Sequence, residues 1–172
     1  MLTEARISPR SQLLCLLLIL GGMLAAGCSS TPSGPDEADT VAAEQTLSSF
    51  LGMLADGEYA EASALYGGPL DSMQIWNPEI EAGDVAGLIG YGCSNRLLQC
   101  LPVRSLALAQ IASSGELVFN IEFSLPDGTQ FVRGACCGAT STEMPNQSEF
   151  PFRLQPKAGG GFLVLDLPPY VP

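Results

Sequence analysis

The chain contains no histidine. That absence removes imidazole acid-base chemistry, nucleophile systems built on Ser-His or Cys-His pairs, and metal sites that need an imidazole ligand. Basic residues are scarce too: 7 Lys plus Arg stand against 18 Asp plus Glu in 172 residues, a formal net charge of −11. Such a surface cannot release counterions from phosphates, so nucleic acid is excluded as a partner. Long apolar runs are also missing. A transmembrane helix takes about 20 apolar residues, and the run from Leu13 to Leu24 is shorter and broken by Gly21 and Gly22. There is no nucleotide loop, no G-x-S-x-G, no H-E-x-x-H and no internal repeat.

What is present begins with an export signal. Arg6 and Arg10 form a positive start, Leu13 to Leu24 an apolar run, and Ala25, Ala26 and Gly27 a small-residue stretch before Cys28. The segment Leu24-Ala25-Ala26-Gly27-Cys28 with Ser29-Ser30 resembles a bacterial lipobox, with Ala25 where Leu is commonest. The resemblance implies a lipid on Cys28 and removal of residues 1–27. It places the chain outside the cytoplasm, on the outer face of the plasma membrane or on an outer membrane. Each buried CH₂ contributes about 0.8 kcal/mol, so two or three acyl chains anchor a protein without spanning. The acidic body is repelled by anionic headgroups, which leaves anchoring to the lipid. Residues 28–39, rich in Ser, Pro, Gly and acid, read as a flexible tether. Asp36, Glu37 and Asp39 lack the Gly and closing Glu of a calcium loop and read as solvated acids.

Residues 40–172 read as a single α+β domain. Ala43, Leu47, Phe50, Leu51 and Leu54 recur at three and four residues and predict a helix over 40–55, capped by Asp39 or Thr40 and ended by Gly57. Shorter helices are expected over 58–66, 70–76 and 84–91. The period then changes to two. Leu117, Phe119, Ile121, Phe123 and Leu125 alternate with more polar neighbours and predict a half-buried strand. Further strands are expected over 103–111, over 129–135 after the Pro126-Asp127-Gly128 turn, and over 150–155 and 162–167 as a final hairpin. Helices followed by four to five antiparallel strands predict helices packed on one face of a sheet.

The stretch from Phe50 to Ala62, FLGMLADGEYAEA, resembles the opening of the nuclear-transport-factor-2-like, or cystatin-like, superfamily. Gly160 to Pro168, GGFLVLDLP, is similar to the last strand of its small secreted members. The resemblance implies a curved sheet wrapped around a helix into a cone, often with a pocket at its open end. Some such domains are enzymes and many are binding, dimerising or accessory domains, so the fold does not choose.

Of six cysteines, Cys15 belongs to the signal and Cys28 to the lipid, which leaves Cys93, Cys100, Cys136 and Cys137 for disulfides. Pairing Cys93 with Cys100 forces a strained bond between Cys136 and Cys137. The expected arrangement therefore links the 93–100 segment across to Cys136 and Cys137, which point to opposite faces if they lie on a strand. Their spacing does not suit a four-thiolate zinc site, and no metal or cofactor is expected. A redox role for Cys136-Cys137 would need a thiol of low pKa, with Arg133 the nearby cation.

Tyr59, Tyr66, Trp76 and Tyr91 are the candidate pocket aromatics, competing with a plain core role. Arg104 and Arg133 either converge on a carboxylate ligand or pair internally. Asp71, Asp84 and Glu122 are the carboxylates nearest apolar structure, each better explained as a cap or solvated group. The expectation is a non-catalytic, lipid-anchored envelope protein binding a small apolar or peptide-like ligand or a protein partner. Its rivals are a carboxylate-based isomerase, dehydratase or hydrolase, and an envelope module that forms a homodimer through its sheet face.

Overall fold

A computed structural model describes residues 36–171. The expected signal segment, Cys28 and the expected tether as far as Pro35 lie outside the described residues. Helix α1 (Glu37–Asp56) starts earlier than its apolar period predicts, because the acids of the expected tether build its cap. The Asp36 carboxylate accepts the Asp39 N–H at 2.9 Å, and the Asp39 carboxylate accepts the Asp36 N–H at 3.3 Å. This reciprocal cap satisfies orphan donors, and Glu37 and Asp39 lie where the helix dipole favours negative charge. Gly57, at φ 82°, ends the helix in the left-handed region that glycine adopts at low cost. All five apolar-stripe residues, Ala43, Leu47, Phe50, Leu51 and Leu54, are buried.

Helices α2 (Tyr59–Ser63), α3 (Asp71–Trp76) and α4 (Val85–Ser94) follow. Asp84 caps α4 through the Gly87 N–H at 2.8 Å, the capping role expected of that carboxylate. The strands β1 (Val103–Ile111), β2 (Leu117–Phe123), β3 (Phe150–Pro156) and β4 (Phe162–Val164) form one antiparallel sheet in chain order. Leu117, Phe119, Ile121 and Phe123 of β2 face the core together with Phe150, Phe152 and Leu154 of β3 and Phe162 and Val164 of β4. The α1 stripe packs into the same apolar cluster. The result is a mixed α+β fold with four strands among the described residues.

The strand expected over 129–135 does not form. Single bridges, Ser124 to Gln130 and Arg133 to Gln147, replace a ladder. The Asp127 carboxylate holds the turn by taking both the Thr129 N–H at 2.9 Å and the Thr129 hydroxyl at 2.6 Å. Beyond it the segment changes partner, with the Thr129 carbonyl and Phe131 N–H paired to Leu125 and Phe123 and Arg133 paired to Gln147, so neither pairing runs long enough for a ladder. The following chain turns at Cys137, φ 60°, and Gly138, φ 89°.

Two closures join distant parts of the chain. Gly67 N–H donates to the Val164 carbonyl and Val164 N–H to the Leu65 carbonyl, both at 2.9 Å. Asp166 accepts from Arg153 Nε at 2.9 Å, Arg153 Nη2 at 2.6 Å and the Arg153 backbone N–H at 2.7 Å. The paired fork geometry raises the Arg153 pKa further and fixes the segment after β4 against β3. Among the described residues no helix is long and apolar enough to cross a membrane.

Candidate functional site

The C-terminal segment positions the site. Gln99 N–H donates to the Pro169 carbonyl and Val171 N–H to the Leu97 carbonyl, both at 2.9 Å, so residues 169–171 form a strap along the chain that follows α4. Between this strap and α3 lies a groove of about 560 Å³. Its walls include Met73 and Trp76 of α3, Tyr91 of α4, Leu97 and Leu98 after it, and Tyr170 of the strap. Among the described residues, no charged side chain lines it. Trp76 is 81% exposed and Tyr170 53%, although both are large apolar surfaces. Neighbouring Ile75 is 73% exposed. Single exposed apolar residues are ordinary, but aromatics gathered on one concave surface make this groove the candidate binding site.

Asn77 is the polar side chain buried beside this groove, and its Nδ2 donates to the Met73 carbonyl at 2.7 Å. Gly92 brings α4 close: a Cβ there would lie 2.8 Å from Leu98 Cδ1 and 2.9 Å from Met73 Cε. Any larger residue would push apart the groove floor. Tyr170 also lines a second hollow of about 400 Å³, formed with Phe131, Val132, Arg133, Cys136 and Met144. The two hollows therefore share one aromatic wall.

The structure divides the candidate aromatics. Trp76 and Tyr91 come together in the groove, whereas Tyr59 and Tyr66 belong to the packing. The Tyr59 ring lies against α4, where a Cβ on Gly90 would be 2.9 Å from Tyr59 Cδ2. Tyr66 stacks on Phe50 at 6.1 Å between ring centroids, and its hydroxyl donates to the Pro69 carbonyl at 3.0 Å. Burial first, and the nearby Asp166 carboxylate second, push the Tyr66 phenol up to about 12, against the opposing pull of Arg153. The unfolded phenol ionises near its ordinary value of 10.0, so the stability this group contributes is complete below pH 10 and is lost as pH rises through about 12. A titration of tyrosinate absorbance should show a late-ionising phenol that vanishes in Tyr66→Phe. A wild-type curve that matches the variant apart from amplitude would refute that assignment.

Arg104 and Arg133 neither converge nor form ion pairs with each other's neighbours. Arg104 Nη1 donates to the Gly128 carbonyl at 3.1 Å. Arg133 Nη2 donates to the Gln147 side-chain carbonyl, and its guanidinium lies 5.8 Å from the Phe150 ring centroid. Of the other carboxylates, Asp71 sits exposed in the first turn of α3, while Glu122 accepts from Ser105 Oγ at 2.8 Å and Gln130 Nε2 at 2.7 Å. No group of three metal-ligating residues occurs among the described residues.

The cysteine expectation is corrected. Cys93 bonds to Cys100, with Cα atoms 5.4 Å apart, rather than across to the 136–137 pair. The physical reason is local: α4 ends at Ser94, Leu97 and Leu98 N–H groups both return to the Gly92 carbonyl, and that turn carries Cys100 back to Cys93. Cys136 and Cys137 stay as thiols with sulfurs 2.8 Å apart. Hydrogen bonding with Cys137, then lost solvation, raises the Cys136 pKa against the opposing effect of Arg133. That direction suppresses the thiolate, which is the nucleophilic form.

Comparison with protein families, with curated proteins and with solved structures finds no match to this chain.

Proposed function

We propose that this chain is a lipoprotein of the bacterial cell envelope, anchored outside the cytoplasm through Cys28, whose folded body is a non-catalytic binding domain of the cone-like superfamily its sequence resembles. The groove between α3 and the C-terminal strap takes a small apolar or peptide-like ligand. One observation carries the reading: a concave surface without a charged lining residue, holding exposed Trp76, Tyr91 and Tyr170, in a chain of net charge −11. Rigid aromatic rings supply large contact area at low entropic cost. The lipobox-like segment supports the anchor.

The test uses the full chain exported by a bacterial host. Feeding an alkyne fatty acid should label the wild type and place it in the membrane fraction, whereas Cys28→Ala should lose both label and fractionation. An unlabelled wild type would overturn the anchor. Trp76 is the single tryptophan of the chain, so its emission reports on the groove directly. Titration with acetylated apolar tripeptide amides and with fatty alcohols should shift emission to the blue and protect Trp76 from acrylamide. Tyr170→Ala should weaken that response about tenfold, the cost of a little over 1 kcal/mol of lost aromatic contact. Emission unmoved by either probe class would count against the groove.

A further inference from the structure

We propose that two copies of this chain join through β1, antiparallel about a two-fold axis at Ala107, so that their sheets become continuous. This inference is independent of what the groove binds. Strand β1 lies at the sheet edge, and β2 is its ladder partner among the described residues. An edge strand presents a row of unpaired N–H and C=O groups, which monomeric proteins blunt with short strands, charged side chains, Pro or β-bulges. Here β1 has nine residues, VRSLALAQI, with one charge, Arg104, and no Pro, and its two register shifts flank an unbroken stretch from Ser105 to Leu108.

Its side chains fit a second copy of themselves. Val103, Leu106, Leu108 and Ile111 stand opposite Phe123, Ile121, Phe119 and Leu117 of β2, all of them core residues. Two register shifts, between Val103 and Ser105 and between Leu108 and Gln110, keep these four apolar residues on the core face. Turning the strand about Ala107 sets Val103 opposite Ile111 of the second copy and Leu106 opposite Leu108. The core-face set maps onto itself. On one copy alone, Leu108 is 40% and Ile111 44% exposed; the second copy's Leu106 and Val103 would cover them. The same turn sets Arg104 opposite Gln110 and Ser105 opposite Ala109, with no like charges facing.

Charge selects the same edge. Between Leu97 and Gly115 the one charged residue is Arg104, in a chain of net charge −11. Two such bodies repel each other over most of their surfaces, whereas the nearest carboxylate on this side, Glu122, lies one strand back on β2 and is held by Ser105 Oγ and Gln130 Nε2.

Facing residues of an antiparallel pair have Cα atoms about 4.5–5.5 Å apart, within disulfide reach. In the exported full chain, Ala107→Cys should therefore give a covalent dimer, with the 107–107 link identified by peptide mass. Ser105→Cys and Ala109→Cys should form no covalent dimer alone and cross-link when produced together. No 107–107 link, or equal linking by all three variants alone, would overturn the proposal. By sedimentation, the wild type in detergent should show twice the protomer mass, and Ala107→Arg should halve it while keeping the wild-type circular dichroism. A wild type of single-protomer mass would likewise refute it. Ala107→Arg should leave the Trp76 emission response unchanged, which separates this test from that of the groove.

Discussion

Phe123→Ala is expected to cost about 3–5 kcal/mol, a large share of the roughly 5–15 kcal/mol that holds a typical domain together. Phe123 is fully buried at the end of β2. Its ring centroid lies 5.9 Å from that of Phe150 and 6.1 Å from that of Phe152, tilted 46° and 64°. Phe131 extends the cluster, 5.7 Å from Phe150. Truncation removes the buried area and leaves a cavity that three rings cannot collapse to fill, because each is held by its own strand or bridge. Thermal melts should drop by about 10–20 °C. Phe123→Leu keeps most of the volume and should cost less than about 1.5 kcal/mol. Equal melts for the alanine and leucine variants would contradict the packing described here.

The second large effect concerns the Cys93–Cys100 bridge. Its sequence separation is 7, and the chain-entropy relation for so short a loop gives about 2–3 kcal/mol. Cys93→Ser should therefore lower the urea midpoint, and reductant should lower the wild type to the same value. Cys137→Ser, at an exposed turn position, should stay within about 0.5 kcal/mol. The consequence reaches the groove, since the bridge closes the turn that carries Leu97 and Leu98 into its wall. Alkylation of the unfolded, unreduced protein should modify Cys136 and Cys137 and spare Cys93 and Cys100. A cross-linked peptide joining Cys93 or Cys100 to Cys136 or Cys137 would overturn this pairing.

The elements legible in the sequence are those whose period is unbroken. The five-residue stripe of α1 and the alternation of β2 each repeat long enough to define a face, and both faces are buried as expected. The bounds of β1 were legible as well, but not its faces, because two register shifts break the period of two. The start of α1 was hidden because a reciprocal acidic cap has the composition of a tether. Residues 129–135 carry strand-like side chains, yet they switch partner from Phe123–Leu125 to Gln147 within a few residues and turn at Cys137, which interrupts the pairing that a strand needs.

The site was half legible. Trp76 and Tyr91 were recognisable as aromatics, but nothing local distinguishes them from Tyr59 and Tyr66, whose rings are absorbed by α4 and Phe50. Tyr170 was missed as a wall of the groove. The available signal was an aromatic directly after Pro168-Pro169, a rigid pair that holds the chain extended.

The bonds that tie β4 to the N-terminal half also set an order of assembly. The sheet is a meander, so each of β2, β3 and β4 can pair with the strand made just before it. The Val164 bonds to Leu65 and Gly67 instead close a span of about 100 residues, the kind of late contact that slows folding. Until β4 has been synthesised, Leu65 to Gly67 lack these backbone partners and the core lacks Phe162 and Val164. A chain made from its N-terminus therefore stays incompletely folded until β4 has emerged, and a half-made chain exposes the α1 stripe that β4 will cover.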